Sequence, residues 1–299
     1  MEKWKGNTDG GNFGQKSLIF FLKYVDVSFL YPFVYIAVPF YMIFSFKTFR
    51  TIIMFFRKKF RFYLMKSVIF AIKNHIIFGK IVLDKFFAFA DNAKKIFNIE
   101  IDNNELFLNA LQQPKGFIIL GSHVGNFEMT GYSLNVGGKK IKALVFAGET
   151  AIMQKHRSRI LDKNNIEMIY STEGSMDHLF QIHNALQNGD ILSMAGDRSP
   201  LPISLISPTN TSKSTSTPIS TNLSTIPVTF FGNTAYIPNG AFKIAKIEKV
   251  NIISIFAMKT GVKKYKVYVK QINSPQQYAD ALEDIVRKYP TQWFNFFDF

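Results

Sequence analysis

The 299-residue chain contains no cysteine. That removes disulfides, cysteine-held zinc and a thiol nucleophile at once, and it fits a cytoplasmic setting. Tryptophan is scarce, with 2 residues against 32 phenylalanines, and the phenylalanine excess is read as apolar bulk, not as a functional signal. Acidic residues are few as well: 21 Asp and Glu stand against 36 Lys and Arg, a net charge of +15. A surplus of this size points to an anionic partner, whether nucleic acid, a membrane surface, or an acidic protein or substrate. No zinc-finger spacing, RNA-binding aromatic signature or basic-region heptad is present, which sets nucleic acid aside. Several catalytic motifs are missing too. Ser122 is no nucleophile elbow, because Leu120 stands two residues before it. No His-Glu-x-x-His occurs, and the glycine-rich stretch from Gly6 to Gly14 lacks the Gly-Lys-Ser/Thr of a phosphate loop.

Val27 to Phe46 carries no charged residue. As a helix rising about 1.5 Å per residue it covers about 30 Å, the thickness of a hydrocarbon core. Pro32 and Pro39 predict kinks, and Tyr31, Tyr35 and Tyr41 suit an interface. A signal peptide fits poorly, since the segment starts late, is long and lacks a small-residue cleavage site. A buried core helix is the plain alternative. The reading adopted is a membrane anchor, either spanning or lying in one leaflet. Lys47, Arg50, Arg57, Lys58, Lys59, Arg61 and Lys66 follow it, against Lys3, Lys5, Lys16 and Lys23 before it. The heavier downstream charge places the remainder of the chain in the cytoplasm. Residues 47–95 mix Phe, Ile and Leu with Lys and Arg, as expected of helices resting on a bilayer. His75 and Asp84 fall there at no metal spacing and are assigned a solvated or core role.

The pattern changes near residue 96. Apolar runs at Phe117–Leu120, Ile141–Phe146, Ile166–Ile169, Ile191–Met194, Val228–Phe231, Ile252–Ala257 and Lys266–Val269 predict strands. Helix-length segments near 126–135, 150–163, 174–187, 239–248 and 276–288 lie between them. This alternation predicts an α/β fold, with a mostly parallel sheet flanked by helices. The expected organisation is an N-terminal membrane anchor with interfacial helices over 1–95 and an α/β domain over 96–299. Within the latter, 199–227 is rich in Ser, Thr and Pro and reads as a low-complexity, mostly disordered insertion beside the active-site face.

Phe117-Ile118-Ile119-Leu120-Gly121-Ser122-His123-Val124-Gly125-Asn126-Phe127-Glu128 is the most telling stretch. A buried strand ends in Gly-Ser, presents a histidine and turns through Gly125-Asn126. Active sites of parallel sheets lie beyond the carboxyl ends of strands. Five residues along a helix rotate about 500°, so His123 and Glu128 meet only if His123 precedes the helix. Asn126 is the expected N-cap, and Glu128 falls in the first turn, where the helix dipole keeps it ionised. A carboxylate on one imidazole nitrogen leaves the other as a base. The same residues also suit a structural histidine beside an incidental capping glutamate. A second strand, Ile191–Met194, leads into Gly196-Asp197-Arg198 and places Asp197 and Arg198 on the same rim. His178 and His183, five apart, do not stack on a helix and read as surface residues.

The Ser-His-Val-Gly-Asn-Phe-Glu run resembles the His-x4-Asp/Glu motif of glycerolipid-type acyltransferases. Its glutamate form is similar to the bacterial late (secondary) acyltransferases of lipid A biosynthesis. The apolar N-terminal segment, Gly196-Asp197-Arg198, Phe230-Phe231-Gly232-Asn233-Thr234-Ala235 with Pro238-Asn239-Gly240, and the closing Tyr289-Pro290-Thr291-Gln292-Trp293-Phe294 agree in order. The resemblance implies a glycerolipid-acyltransferase-like fold and an enzyme of the cell inner membrane. That enzyme moves a fatty acyl group from acyl carrier protein or coenzyme A to a hydroxyl of a lipid A precursor or a related membrane lipid. His123 is then the general base and Glu128 its orienting carboxylate. Arg159, Asp197, Arg198, Ser122, Gly125 and Asn126 are the implied substrate-binding residues, with oxyanion donors expected at backbone N–H groups near Gly125 or at a basic side chain. No resident cofactor or metal is implied, and the partners are the bilayer, the lipid acceptor and the acyl carrier. Arg198 stands where lipid A enzymes tend to have glutamine, the insertion is long, and the end is not basic. An acyltransferase of another membrane lipid, such as an aminolipid, and a non-catalytic membrane-binding protein are the alternatives.

Overall fold

A computed structural model of the chain describes residues 25–90, 96–146, 165–171, 177–198 and 225–294. Three helices come first. Helix α1 spans Val27–Phe44, capped by Asp26, whose side chain accepts the Ser28 N–H at 2.9 Å. Pro32 and Pro39 lie inside this single helix without dividing it. Helix α2, Phe46–Lys59, follows after Ser45, and its last turn carries Arg57, Lys58 and Lys59, which suit the negative end of the helix dipole. Helix α3, Leu64–Ala90, is the long beam against which both lie.

Among the described residues, α1 is the one helix long and apolar enough to cross a membrane. It buries only the stripe Val27, Tyr31, Val34 and Val38, spaced four, three and four apart as one helical face requires. Phe29, Phe33, Ile36, Phe40, Ile43 and Phe44 project from the opposite side, exposed. A core helix would bury both faces, so the plain alternative of a buried helix does not describe α1.

The remainder is α/β. Strand β1 (Asn98–Asp102) and helix α4 (Asn104–Leu111) lead into β2 (Ile118–Gly121), α5 (Phe127–Ser133), β3 (Ile141–Phe146) and β4 (Ile166–Ser171). Helix α6 (Asp177–Gln187), β5 (Ile191–Ala195), the pair β6 (Thr225–Phe230) and β7 (Asn233–Pro238), and α7 (Gly240–Glu248) follow. Strands β8 (Ile252–Gly261) and β9 (Lys264–Ile272), helix α8 (Pro275–Lys288) and a short turn of 3-10 helix at Pro290–Gln292 complete the order.

Seven strands form one mixed sheet in the order β1-β9-β8-β2-β5-β3-β4. The five from β8 to β4 are mutually parallel; β9 returns antiparallel to β8, and β1 runs along β9. Strand β2 sits centrally and is buried at all four positions, which accounts for its unbroken apolar run. One apolar layer packs Leu120, Leu192 and Phe256 against Tyr278, Leu282 and Ile285 of α8, with Phe230 of the β6–β7 hairpin joining it. On the other face Ile119, Ile253 and Ile255 meet Phe87 of α3, Phe107 of α4 and Met129 of α5.

Three elements differ from the sequence reading. Strand β1 is an edge strand of five residues with no fully buried position, so it lacks the apolar run that marks the others. Helix α4 and strand β7 were likewise unanticipated, each being short and interrupted by polar residues. Thr225, Ile226 and Pro227 open β6 instead of ending a disordered insertion, because they pair with Pro238, Ile237 and Tyr236 of β7. The rest of that insertion and all of the helix expected at 150–163 lie outside the described residues, as does Arg159.

Candidate active site

The register of two strands builds the site. Strands β2 and β5 pair in parallel with Gly121 opposite Ala195. Two residues further along each chain come His123 and Asp197. Equal steps past a matched pair of strand ends bring these side chains together on the carboxyl-end rim. The Asp197 carboxylate grips the histidine twice. Its Oδ2 accepts the His123 backbone N–H at 2.9 Å, and its Oδ1 lies 2.9 Å from Nδ1 of the imidazole.

Asp197 is almost wholly buried, its side chain 1% exposed, while the His123 side chain remains 42% exposed. Burial alone would raise the Asp197 pKa. The charge of His123, the hydrogen bonds from it and the adjacent Arg198 outweigh burial and hold this carboxyl below its usual range. An ionised Asp197 can only accept, so Nδ1 carries a proton, and in the neutral ring Nε2 is the nitrogen left with a lone pair. A fixed tautomer, a buried counter-charge and an open nitrogen are what a general base needs.

The expected pairing of His123 with Glu128 is therefore corrected. Nδ1 belongs to Asp197, and Glu128 Oε1 takes Lys85 Nζ of α3 at 2.6 Å. The helix start is as expected: Asn126 caps α5, its Oδ1 accepting the Met129 N–H at 3.3 Å. But Asp197 holds both the backbone and the ring of His123 from the neighbouring strand, whereas Glu128 lies in the first turn of a helix that packs beside α3.

The loop through Gly125 is held by its backbone. The Gly125 N–H donates to the Gln292 carbonyl and the Asn126 N–H to the Ala257 carbonyl, each at 2.8 Å. Both groups are thereby engaged and do not act as the expected oxyanion donors. Gly125 has φ +63°, and a Cβ there would stand 2.2 Å from the Ala257 carbonyl oxygen. Gly125→Ala is expected to lower unfolding stability by about 2 kcal/mol, from left-handed strain and displacement of β8. Denaturant unfolding in detergent checks this, and an unchanged midpoint would show that the loop accommodates the methyl. Gly121 is needed for a different reason: the Phe127 ring occupies the place of its Cβ.

A strap from the end of the chain closes the site. Val124 bridges Trp293, the Phe294 N–H donates to the His123 carbonyl at 3.0 Å, and Arg198 Nη2 donates to the Phe294 carbonyl at 2.5 Å. Asn74 of α3 donates to the carbonyls of Thr291 and Trp293. Arg198 is thus committed to the strap, although it does lie on the expected rim. Ser122 is buried behind His123.

Beneath the loop is a buried polar cluster whose members the sequence did not join. Asp84 of α3 accepts from the Tyr31 hydroxyl of α1 at 2.5 Å, from Lys259 Nζ of β8 at 2.5 Å and from the Tyr265 hydroxyl of β9. Asn126 Nδ2 lies 3.4 Å from that Tyr265 hydroxyl. Gln292 holds the Lys259 backbone on both sides, accepting its N–H at 2.9 Å and donating to its carbonyl at 2.7 Å. Burial pushes the Lys259 ammonium down from its usual pKa and Asp84 opposes this; burial and then Asp84 push the Tyr265 phenol well up. Asp84 therefore takes the core role, not the solvated one. The only signal in the sequence was an aspartate amid an apolar helix, which marks a partner without saying where it comes from.

His75 also takes a core role: Nδ1 lies 2.9 Å from the Ala71 carbonyl, between the rings of Tyr41 and Phe49. His183 meets Glu248 at 2.9 Å, with its side chain exposed. Among the described residues no cluster of His, Asp and Glu suits a metal ion. No protein-family model and no curated protein sequence matches the chain.

Proposed function

We propose that this protein is a membrane-bound acyltransferase. It moves a fatty acyl group from a thioester of acyl carrier protein or coenzyme A to a hydroxyl of a lipid A precursor or a related membrane lipid. The observation that carries this reading is the exposed imidazole of His123 held on the buried carboxylate of Asp197 beyond the ends of β2 and β5. The Ser122–Glu128 motif gives that base its chemical context and suggests a glycerolipid-acyltransferase-like domain.

The geometry supports a simple sequence of steps. Nε2 of His123 takes the proton from the acceptor hydroxyl, and the oxygen attacks the thioester carbonyl. The tetrahedral intermediate collapses, the carbon–sulfur bond breaks and the leaving thiolate takes the proton back from the imidazolium. Asp197 stabilises that imidazolium throughout. No covalent acyl-enzyme is required.

Attachment to one leaflet, with the α/β domain on the cytoplasmic face of the inner membrane, suits α1. This helix lies along α3, with Tyr31 on Asp84, the Tyr35 hydroxyl 2.8 Å from Lys80 Nζ, and Tyr41 beside His75. Carrying α1 through a bilayer would drag Lys80, Asp84 and Lys259 into hydrocarbon, which is costly. Its exposed Phe and Ile face lying in the interface needs no such burial.

Acyl transfer from an acylated carrier to extracted membrane lipid, measured with His123→Ala, tests the reading. Loss of transfer with retained membrane association is expected; turnover at the unsubstituted rate would sink the role given to His123. Free fatty acid in place of acylated lipid would identify a hydrolase.

A further inference from the structure

A concave site lies apart from His123. It is a cleft of about 620 Å³ lined by Lys58, Lys59, Phe60 and Arg61 after α2, by Phe231, Gly232 and Asn233 at the β6–β7 turn, and by Arg287 of α8. Four of these eight residues are cationic. Arg287 is held by Glu283, with Nε 2.8 Å from Oε1, and its guanidinium lies 4.5 Å from the centre of the Phe231 ring. Among the described residues Glu283 is the one carboxylate in contact with the cleft's lining. Lys58, Lys59 and Arg61 take part in no ion pair there.

Lys58 and Lys59 are the last residues of α2, and Arg61 adopts φ +54° two residues later. Opposite them the two-residue turn Phe231-Gly232 has φ +49° and +69°. A bulky aromatic in the left-handed region is strained. The turn is held because Glu283 accepts the Phe231 N–H at 2.5 Å and Asn233 Nδ2 donates to the Phe231 carbonyl at 2.8 Å. The rings of Phe55 and Phe60 brace Phe231 from behind. Burial lowers the Lys59 pKa, opposed by Glu283, so this ammonium lies where an arriving anion strengthens its charged form.

We infer that this cleft is a binding site for a phosphate ester. Lys58, Lys59 and Arg61 are the charge-assisted donors, and Arg287 with Phe231 forms the opposite wall. The site does not depend on the chemistry proposed for His123. Two sources offer this chemistry: a phospholipid headgroup and the phosphopantetheine arm of an acyl donor. Two residues beyond Arg61 the chain exposes Tyr63, Leu64 and Met65, an apolar run next in sequence to the lining, which favours the lipid.

Titration calorimetry of the full chain in non-ionic detergent tests this, with dihexanoyl phosphatidic acid, dihexanoyl phosphatidylcholine, inorganic phosphate and 4′-phosphopantetheine as probes. Phosphatidic acid is expected to bind, with affinity falling about tenfold in Arg61→Gln and again in Lys59→Gln, one charge-assisted contact each. Lys246→Gln, on exposed α7, and His123→Ala are expected to leave it unchanged. Tighter binding of phosphopantetheine than of phosphatidic acid, with the same losses, keeps the phosphate site and assigns it to the acyl donor. Equal affinity of the unsubstituted protein and Arg61→Gln for every phosphate probe would overturn it. Circular dichroism establishes that the variants are folded.

Discussion

Asp197→Asn is expected to lower the turnover number for acyl transfer about a thousandfold, within the range for loss of a positioned general base. The physical reason is the tautomer. Asp197 Oδ1 faces Nδ1 of His123 at 2.9 Å and, being ionised, obliges that nitrogen to carry the proton. An asparagine turning its amide N–H toward Nδ1 reverses this: Nε2 then carries the proton and cannot take one from an acceptor hydroxyl. Glu128→Gln is the informative comparison. It weakens an ion pair with Lys85 whose two side chains are each about a third exposed, worth at most about 1 kcal/mol, and turnover is expected to fall less than about tenfold. Both variants are assayed with the same acylated carrier and lipid acceptor, with unfolding midpoints measured alongside. If Glu128→Gln proved the more damaging of the two while remaining folded, Glu128 would regain the orienting role that the motif implies.

The largest expected loss of stability comes from Lys259→Met, at about 3–5 kcal/mol, the magnitude seen when one member of a buried ion pair is removed. Asp84 is fully buried and takes hydrogen bonds from Lys259, Tyr31 and Tyr265. Without the ammonium its charge is held by two phenols alone. Lys259→Met together with Asp84→Asn is expected to recover much of the loss, because neither charge then remains buried. Denaturant unfolding of the single and double variants gives the coupling directly, and strictly additive losses would show that the pair contributes nothing as a pair. The consequences reach the site, since Gln292 brackets the Lys259 backbone and also accepts the Gly125 N–H. The same cluster ties α1 to the α/β domain through Tyr31, so the single variant is also expected to loosen the apolar helix from α3.

Much of this molecule is legible in local pattern. The apolar runs Ile118–Leu120 and Ile252–Ala257 identify buried strands, because a strand covered on both faces needs apolar residues at consecutive positions. Helix α8 declares itself through Ser274 at the cap, Pro275 in the first turn and the spacing of Tyr278, Leu282, Ile285 and Val286. The edge strand β1 and the β6–β7 hairpin carry no such run, since their stability comes from partners distant in the chain. Thr225 to Pro227 look like a continuation of a polar tract until β7 is laid beside them.

The sequence by itself determined that a histidine follows a buried strand, that Asn126 caps the next helix, and that an uncharged helix precedes a basic, phenylalanine-rich one. Those are properties of neighbours in the chain, set by periodicity, capping and burial. Which carboxylate faces the histidine was decided only by the tertiary structure. Glu128 is five residues away and Asp197 seventy-four, yet the parallel register that sets Gly121 against Ala195 delivers Asp197 to the ring. Likewise Asp84, Lys259, Tyr31 and Tyr265 come from four separate elements. A buried charge in a sequence states that it needs a counter-charge, and only the packing of helix against sheet says which residue supplies it.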